Sequence, residues 1–180
     1  MTGIVQKAAA FAAAAHESIG QRRKYTDEPY IVHPRAVAGI VASITEDEQM
    51  IAAAWLHDIV EDTPVTIAEI EAEFGLDIAR LVDDLTDVSR KSDGSRRQRL
   101  AIDREHTARA EPRAKTIKLA DVIDNLSDIV NQNPDFAPKY LREKEELLEV
   151  LIDGHPVLFA RAQTVIQEQW TALERLQSES

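Results

Sequence analysis

Apolar residues recur three and four positions apart along most of the chain, and period-two runs of β-branched residues are missing. The expected class is all-α. A first helix is predicted over residues 4–19. Residues 21–30, QRRKYTDEPY, are polar and carry a proline, so they read as a loop. Pro34 fits the first turn of a helix running through Ala36, Val37, Ile40 and Val41. Thr45 and Glu48 have capping-box spacing and open a helix carrying Met50, Ile51, Ala54, Trp55 and Ile59, which should end before Pro64. Thr66 and Glu69 repeat that spacing, with a stop at Gly75. Another helix is expected over residues 77–87.

Residues 89–99, SRKSDGSRRQR, form the clearest loop, with a helix starting near Arg96. Residues 111–130 read as mostly helical, with Pro112 near the start, and NQNPDF breaks them. Two last helices are predicted over residues 138–152 and 156–176, separated by Gly154, followed by a frayed QSES tail. No internal repeat or low-complexity linker divides the pattern. It implies one domain over residues 1–180, a bundle of roughly eight to ten helices.

Composition narrows the chemistry. The 180 residues include no cysteine, which excludes disulfides, cysteine-ligated zinc and cysteine nucleophiles. The alanine-rich N-terminal stretch lacks the pattern of a signal peptide, and no segment approaches the ~20 apolar residues of a membrane span. A cytoplasmic protein is the expectation. The net charge of −11 argues against nucleic acid as a partner. It leaves room for a small anionic ligand, because one cation and a few arginines can invert the local field.

Against this background WLHDIVEDT, residues 55–63, stands out. Four acids and bases, His57, Asp58, Glu61 and Asp62, lie within six residues among Trp55, Leu56, Ile59 and Val60. On a helix His57 stacks with Glu61 and Asp58 with Asp62. Carboxylates are unfavourable at the negative C-terminal end of a helix, so something positive is needed there, and a divalent cation would serve. Imidazole with carboxylate suits Mn²⁺, Fe²⁺ or Zn²⁺ better than Ca²⁺. Glu61 and Asp62, one turn on, would stand beside the ion, where a carboxylate can orient or deprotonate a water. The bland reading is a core histidine and a solvated helix end.

Further ligands are available. His33 lies in the apolar stretch YIVHP, and Asp121 lies in IKLADVIDNL with Asn125 on its face. Asp124 and Asp128 sit three and seven residues after Asp121, so one carboxylate there can simply be solvated. His16, His106 and His155 have weaker contexts, and His155 reads as a helix-entry residue. A set of two histidines and two carboxylates is thus His33, His57, Asp58 and Asp121.

The order H…HD…D resembles the signature of the HD-domain metal phosphohydrolases, an all-helical family. QRRKYTDEPYIVHP, AAAWLHDIVEDTPVTIAEIEAEFG and IKLADVIDNL are together similar to the hydrolase domain of RelA/SpoT proteins, which cleave the alarmone (p)ppGpp. The length resembles that of the stand-alone small alarmone hydrolases, the metazoan SpoT homologue among them. The resemblance covers residues 5–130 well and the last helices loosely. It implies His33, His57, Asp58 and Asp121 as ligands of one Mn²⁺, and Glu61 and Asp62 as the pair that activates the attacking water. It also implies that Arg23, Lys24 and Asn125 face the nucleotide.

The chain departs from the family pattern at Val122, where a basic residue is usual, and at Asp124, where an aromatic or histidine is usual. Both departures are expected to remove contacts to an anionic nucleotide, and Asp124 to add repulsion. They keep two rivals in view: an HD hydrolase of another nucleotide, such as a phosphorylated NADP-type cofactor or an adenine alarmone, and a non-catalytic nucleotide sensor. Arg90, Lys91, Arg96, Arg97 and Arg99 read either as a phosphate-contacting lid or as a solvated helix start. Apolar residues of the last helix, Val157, Leu158, Val165, Ile166, Trp170 and Leu173, are expected to cover the core or a partner subunit in a homo-oligomer.

Overall fold

The computed structural model describes residues 3–178; Met1, Thr2 and the last two residues of the QSES tail lie outside them. The described residues form helices α1 (Gly3–Ser18), α2 (Val32–Ala42), α3 (Glu48–Leu56), α4 (Ile59–Asp62), α5 (Ile67–Phe74) and α6 (Leu76–Leu85). They continue with α7 (Arg96–Arg109), α8 (Pro112–Leu126), α9 (Ile129–Gln132), α10 (Ala137–Leu148) and α11 (Pro156–Ser178). The expected all-α class holds. A single antiparallel bridge, Arg22 with Pro29, closes the 21–30 loop on itself.

Helix α8 is the central element. It buries ten of its fifteen residues and packs against α2, α3, α6 and α11. Helix α3 lies beside it, against α1, α2 and α6. Ala52, Ala53 and Ala54 of α3 are fully buried, and their small side chains let the neighbouring helices come close. Leu158, Ile166 and Leu173 of α11 are buried in the core, whereas Val157 is 60% exposed. Most of the apolar face of that helix therefore covers its own domain.

Helix ends follow local chemistry with one correction. Thr66 and Glu69 form the expected capping box, and Gly75 ends α5 at φ 87°. Thr45 does not cap α3. Asp47 does, with its carboxylate accepting from Gln49 and Met50 N–H, while Thr45 Oγ1 accepts from Asp47 N–H. Aspartate is as good an N-cap as threonine and stands one residue from the helix.

Two segments that read as continuous helices are broken. The first break is at His57 and Asp58, where Asp58 adopts φ −100°, ψ −2°. The second separates α8 from α9 at Ser127 and Asp128. Gln169 of α11 bridges that gap: its Nε2 donates to Ser127 O (3.1 Å) and its Oε1 accepts from Val130 N–H (3.1 Å). Backbone groups freed by the break are thus satisfied rather than orphaned.

The turn before α11 is tight. A Cβ at Gly154 would lie 2.6 Å from Leu119 Cδ1, 3.1 Å from the Leu151 carbonyl and 3.3 Å from Lys115 C. Gly39, on the exposed face of α2, has nothing within 4 Å of the same position. Gly154→Ala is therefore expected to destabilise by about 1–3 kcal/mol. Gly39→Ala should stabilise by about 0.5–1 kcal/mol through helix propensity. Chemical denaturation of both variants checks the pair.

Candidate metal centre and adjoining cleft

Helices α2, α3 and α8 pack on one another, and each delivers a polar side chain to their junction. His33 comes from the first turn of α2, His57 and Asp58 from the break after α3, and Asp121 from the buried face of α8. On an unbroken helix adjacent side chains diverge by about 100°. At the break Asp58 takes φ −100°, away from the helical value, and its ψ of −2° redirects the chain that follows. His57 Nε2 comes to 3.0 Å from Asp58 Oδ2 and 3.7 Å from Asp121 Oδ1. His33 Nε2 lies 3.1 Å from Asp121 Oδ1 and 3.5 Å from Asp58 Oδ2. Ligand atoms of His33, His57 and Asp58 all lie within 4.8 Å of one another, a spacing compatible with a divalent metal ion.

The far side of each imidazole is fixed. His57 Nδ1 donates to the Ala54 carbonyl at 2.8 Å, and His33 Nδ1 lies 2.6 Å from Asp124 Oδ2. Both rings thereby turn Nε2 toward the carboxylates. His57 Nε2 is buried and has no partner in hydrogen-bond geometry. A buried imidazole nitrogen turned toward two carboxylates, without a partner in hydrogen-bond geometry, is a donor that a divalent cation fits. Tyr30 Oη donates to Asp58 Oδ2 (2.6 Å), Asn125 Nδ2 donates to Asp121 Oδ1 (2.5 Å), and Lys118 Nζ lies 3.2 Å from Asp121 Oδ2.

Two expectations are corrected here. Asp124 does not face a nucleotide as free negative charge. It holds His33 and lies 3.5 Å from the Arg23 guanidinium. Val122 is fully buried in the core, so a change at this position alters packing and not a ligand contact.

Burial disfavours charge throughout the cluster, but the mutual contacts outweigh it. Burial opposes protonation of His33, yet hydrogen bonds with Asp121, Asp124 and Asp58 push it up to about 11. For His57, Asp58 overcomes burial and the pKa rises to about 9. Burial would raise Asp58 and Asp121. His57 and His33 beside Asp58, and Lys118 beside Asp121, instead hold both well below the usual carboxylate range.

Glu61 and Asp62 sit one turn beyond the break, on the open side of the cluster. Glu61 Oε1 accepts from Asp87 N–H at 2.6 Å. Its residue is open to solvent on one side. Burial of its carboxyl end and the nearby Asp87 carboxylate still push it up to about 8. Asp62 Oδ2 accepts from Gln21 Nε2 at 2.8 Å. Its pKa is raised by desolvation, with Gln21 opposing the shift.

Beside this cluster lies a solvent-open cleft of about 280 Å³, with Tyr30 and Asn125 in the shared wall. Arg23, Lys24 and Arg96 supply its positive charge, and Phe136 and Tyr140, stacked 5.4 Å apart, supply an aromatic wall. Arg23 Nη1 donates to Asn125 Oδ1 at 3.4 Å, so the cleft is tied to the Asp121 side of the cluster. Of the basic loop residues, Arg96 lines the cleft and is held by a two-pronged contact to Glu143. The loop enters through Asp103, whose carboxylate accepts from Val88 N–H, Ser89 N–H and Ser89 Oγ.

The structure places His33, His57, Asp58 and Asp121 in the cluster, Glu61 and Asp62 in α4 directly after it, and Arg23, Lys24 and Asn125 in the cleft, where Arg96 joins them from the basic loop. Sequence reasoning missed Tyr30 and Lys118. Lys118, the one cation in the apolar run TIKLA, and Tyr30, a turn before His33, were the signals available.

The raised histidines make the metal-free protein pH-sensitive. A histidine whose folded pKa lies above its unfolded value stabilises the fold fully below the unfolded pKa and loses that contribution as pH rises through the folded one. For His57 the window runs from 6.5 to about 9. The melting temperature of metal-free protein should therefore fall across this range, as thermal melts at stepped pH will record. A flat or rising profile would contradict the cluster's charge balance.

The comparisons with known proteins agree with this geometry. A family model described as HD domain matches residues 8–151. The Xenopus tropicalis guanosine-3′,5′-bis(diphosphate) 3′-pyrophosphohydrolase MESH1 is 34% identical over 94% of this chain and 97% of its own length. A probable enzyme of the same name from Synechocystis is 37% identical over 76% of this chain, but the match spans only 18% of that longer protein. A solved structure of a metazoan ortholog of SpoT that hydrolyses ppGpp superposes with a TM-score of 0.83 at 28% identity, covering 94% of this chain and 97% of that one. Among the described residues no helix is long and apolar enough to cross a membrane. By the extent of the match and by the donor set at its centre, the chain belongs to the HD-domain family.

Proposed function

We infer that this chain is a metal-dependent pyrophosphohydrolase that removes the 3′-pyrophosphate of (p)ppGpp, giving GDP or GTP and pyrophosphate. One observation carries the reading: the buried His57 Nε2, without a hydrogen-bond partner, faces Asp58 and Asp121 beside a basic, aromatic cleft. The relatives that match along nearly all of their length bear this activity in their names. In this reading His33, His57, Asp58 and Asp121 hold one Mn²⁺. When bound, such an ion supplies Lewis acidity to a phosphoryl oxygen and lowers the pKa of a water.

The chain's own groups do the rest. Glu61 takes the proton of the attacking water, and a pKa near 8 suits a base working close to neutrality. Asp62 orients that water. Attack on the phosphorus joined to the 3′-oxygen breaks that bond, and the proton returns to the leaving 3′-oxygen. Arg23 and Lys24 neutralise phosphate charge, arginine through paired N–H groups and lysine as a point charge. Asn125 braces Asp121 and contributes to the cleft wall. The pairing of Asp124 with His33 and Arg23 removes the charge objection to a guanine nucleotide. A cytoplasmic alarmone-clearing role, as in a stringent response, belongs to the same reading.

The test is product analysis of purified protein with ppGpp, first with Mn²⁺ and then with chelator. GDP and pyrophosphate should appear only with metal. Failure of ppGpp to turn over, with another nucleotide consumed, would replace the substrate. Asp58→Ala should lose bound metal and activity together. Glu61→Ala should keep the metal and lose about 10²–10⁴ in turnover.

A further inference from the structure

Gln21 is anchored through its backbone and through both ends of its side chain. Its N–H donates to the His16 carbonyl (3.1 Å), and its own carbonyl accepts from Tyr30 N–H (3.1 Å). Its Oε1 lies 2.7 Å from His16 Nδ1, and its Nε2 donates to Asp62 Oδ2 at 2.8 Å. His16 is only 2% exposed, and its ring rests on Tyr30 with centroids 4.8 Å apart.

These contacts have one consistent direction. An ionised carboxylate only accepts hydrogen bonds, so Asp62 selects the amide nitrogen of Gln21. That leaves Oε1 facing His16, which must donate from Nδ1. Amide orientation and tautomer fix one another. A chain of donors runs from α1 through the first loop to the end of α4.

Asp62 needs such a holder. It ends a helix of one turn, its residue is exposed, and no cap of α4 restrains its side chain. An unrestrained carboxylate would sample several rotamers, whereas orienting a reactant requires one. We propose that Gln21, locked by His16, is a positioning residue that aims the Asp62 carboxylate at the attacking water. This rests on the role given to Asp62 above. It gives α1, which supplies no residue to the donor cluster, a part in the reaction.

The experiment is steady-state kinetics of the Mn²⁺-loaded protein on ppGpp for Gln21→Leu, Asp62→Asn and the double variant, with metal content and melting temperature measured on each. Gln21→Leu should lower kcat about 10- to 100-fold with KM little changed. Metal content and melting temperature should stay near those of the parent. In the Asp62→Asn background the same substitution should cost no further kcat, whereas a merely structural role would cost the same factor in both backgrounds. Parent-like kcat in Gln21→Leu, with Asp62→Asn impaired, overturns the positioning inference alone. Parent-like kcat in Asp62→Asn overturns the role of Asp62 and the inference with it. Should Gln21→Leu fail to fold, His16→Asn against His16→Leu decides. An asparagine amide can donate near the Nδ1 position, so the Asn variant should retain more kcat than the Leu variant, and equal losses would overturn the proposal.

Discussion

Two carboxylates, Asp58 and Asp121, face two imidazoles in the middle of an all-helical core. Ionised groups are costly to bury unless each is matched, and here each is matched several times over. His33 and His57 stand between the carboxylates, Lys118 backs Asp121, and Tyr30 and Asn125 donate to what remains. The packing of α2, α3 and α8 brings these groups together: His33 from the start of α2, His57 and Asp58 from the break after α3, and Asp121 from the buried face of α8. In the metal-free state protons on the histidines supply the positive charge. On the proposed reading one divalent ion takes their place.

The two broken helices serve the same end. A straight helix through residues 48–62 would send His57 and Asp58 in different directions. At the break, where Asp58 has φ −100°, their ligand atoms come to 3.0 Å. The break also turns Glu61 and Asp62 to the mouth of the cluster, where Asp87 N–H and Gln21 hold them. At the end of α8 the chain turns away beside the cleft, and α11 repairs the backbone through Gln169. Regular structure is given up where the chemistry needs a particular direction, and side chains from neighbouring helices satisfy the exposed groups.

Residue type and apolar context made much of the site legible in the sequence. His33, His57, Asp58 and Asp121 were conspicuous as polar residues inside apolar helical stretches, and the family resemblance then assigned roles to Glu61, Asp62, Arg23, Lys24 and Asn125. Tertiary direction was not legible. Asp124 reads from spacing as a neighbour of Asp121 with charge to spare. Only the packing of α8 on α2 puts it behind His33. Val122 reads as a missing contact, but the rotation of α8 turns it into the core. His16 has little beside it in the sequence to mark it, because its partners Gln21 and Tyr30 come from the following loop and Asp62 joins only through Gln21. Helix boundaries were read within a few residues except where φ and ψ at single positions, Asp58 above all, decide the break.

A divalent ion and two protons are expected to compete for one buried cluster. Calorimetric titration of metal-free protein with Mn²⁺ at pH 7, in buffers of different ionisation enthalpy, measures that competition directly. With His33 and His57 pushed up to about 11 and about 9, both are protonated at the start. Metal ligation requires neutral imidazole. One ion per chain should bind, with close to two protons released. Binding without proton release, or binding undiminished in His57→Ala, would contradict it.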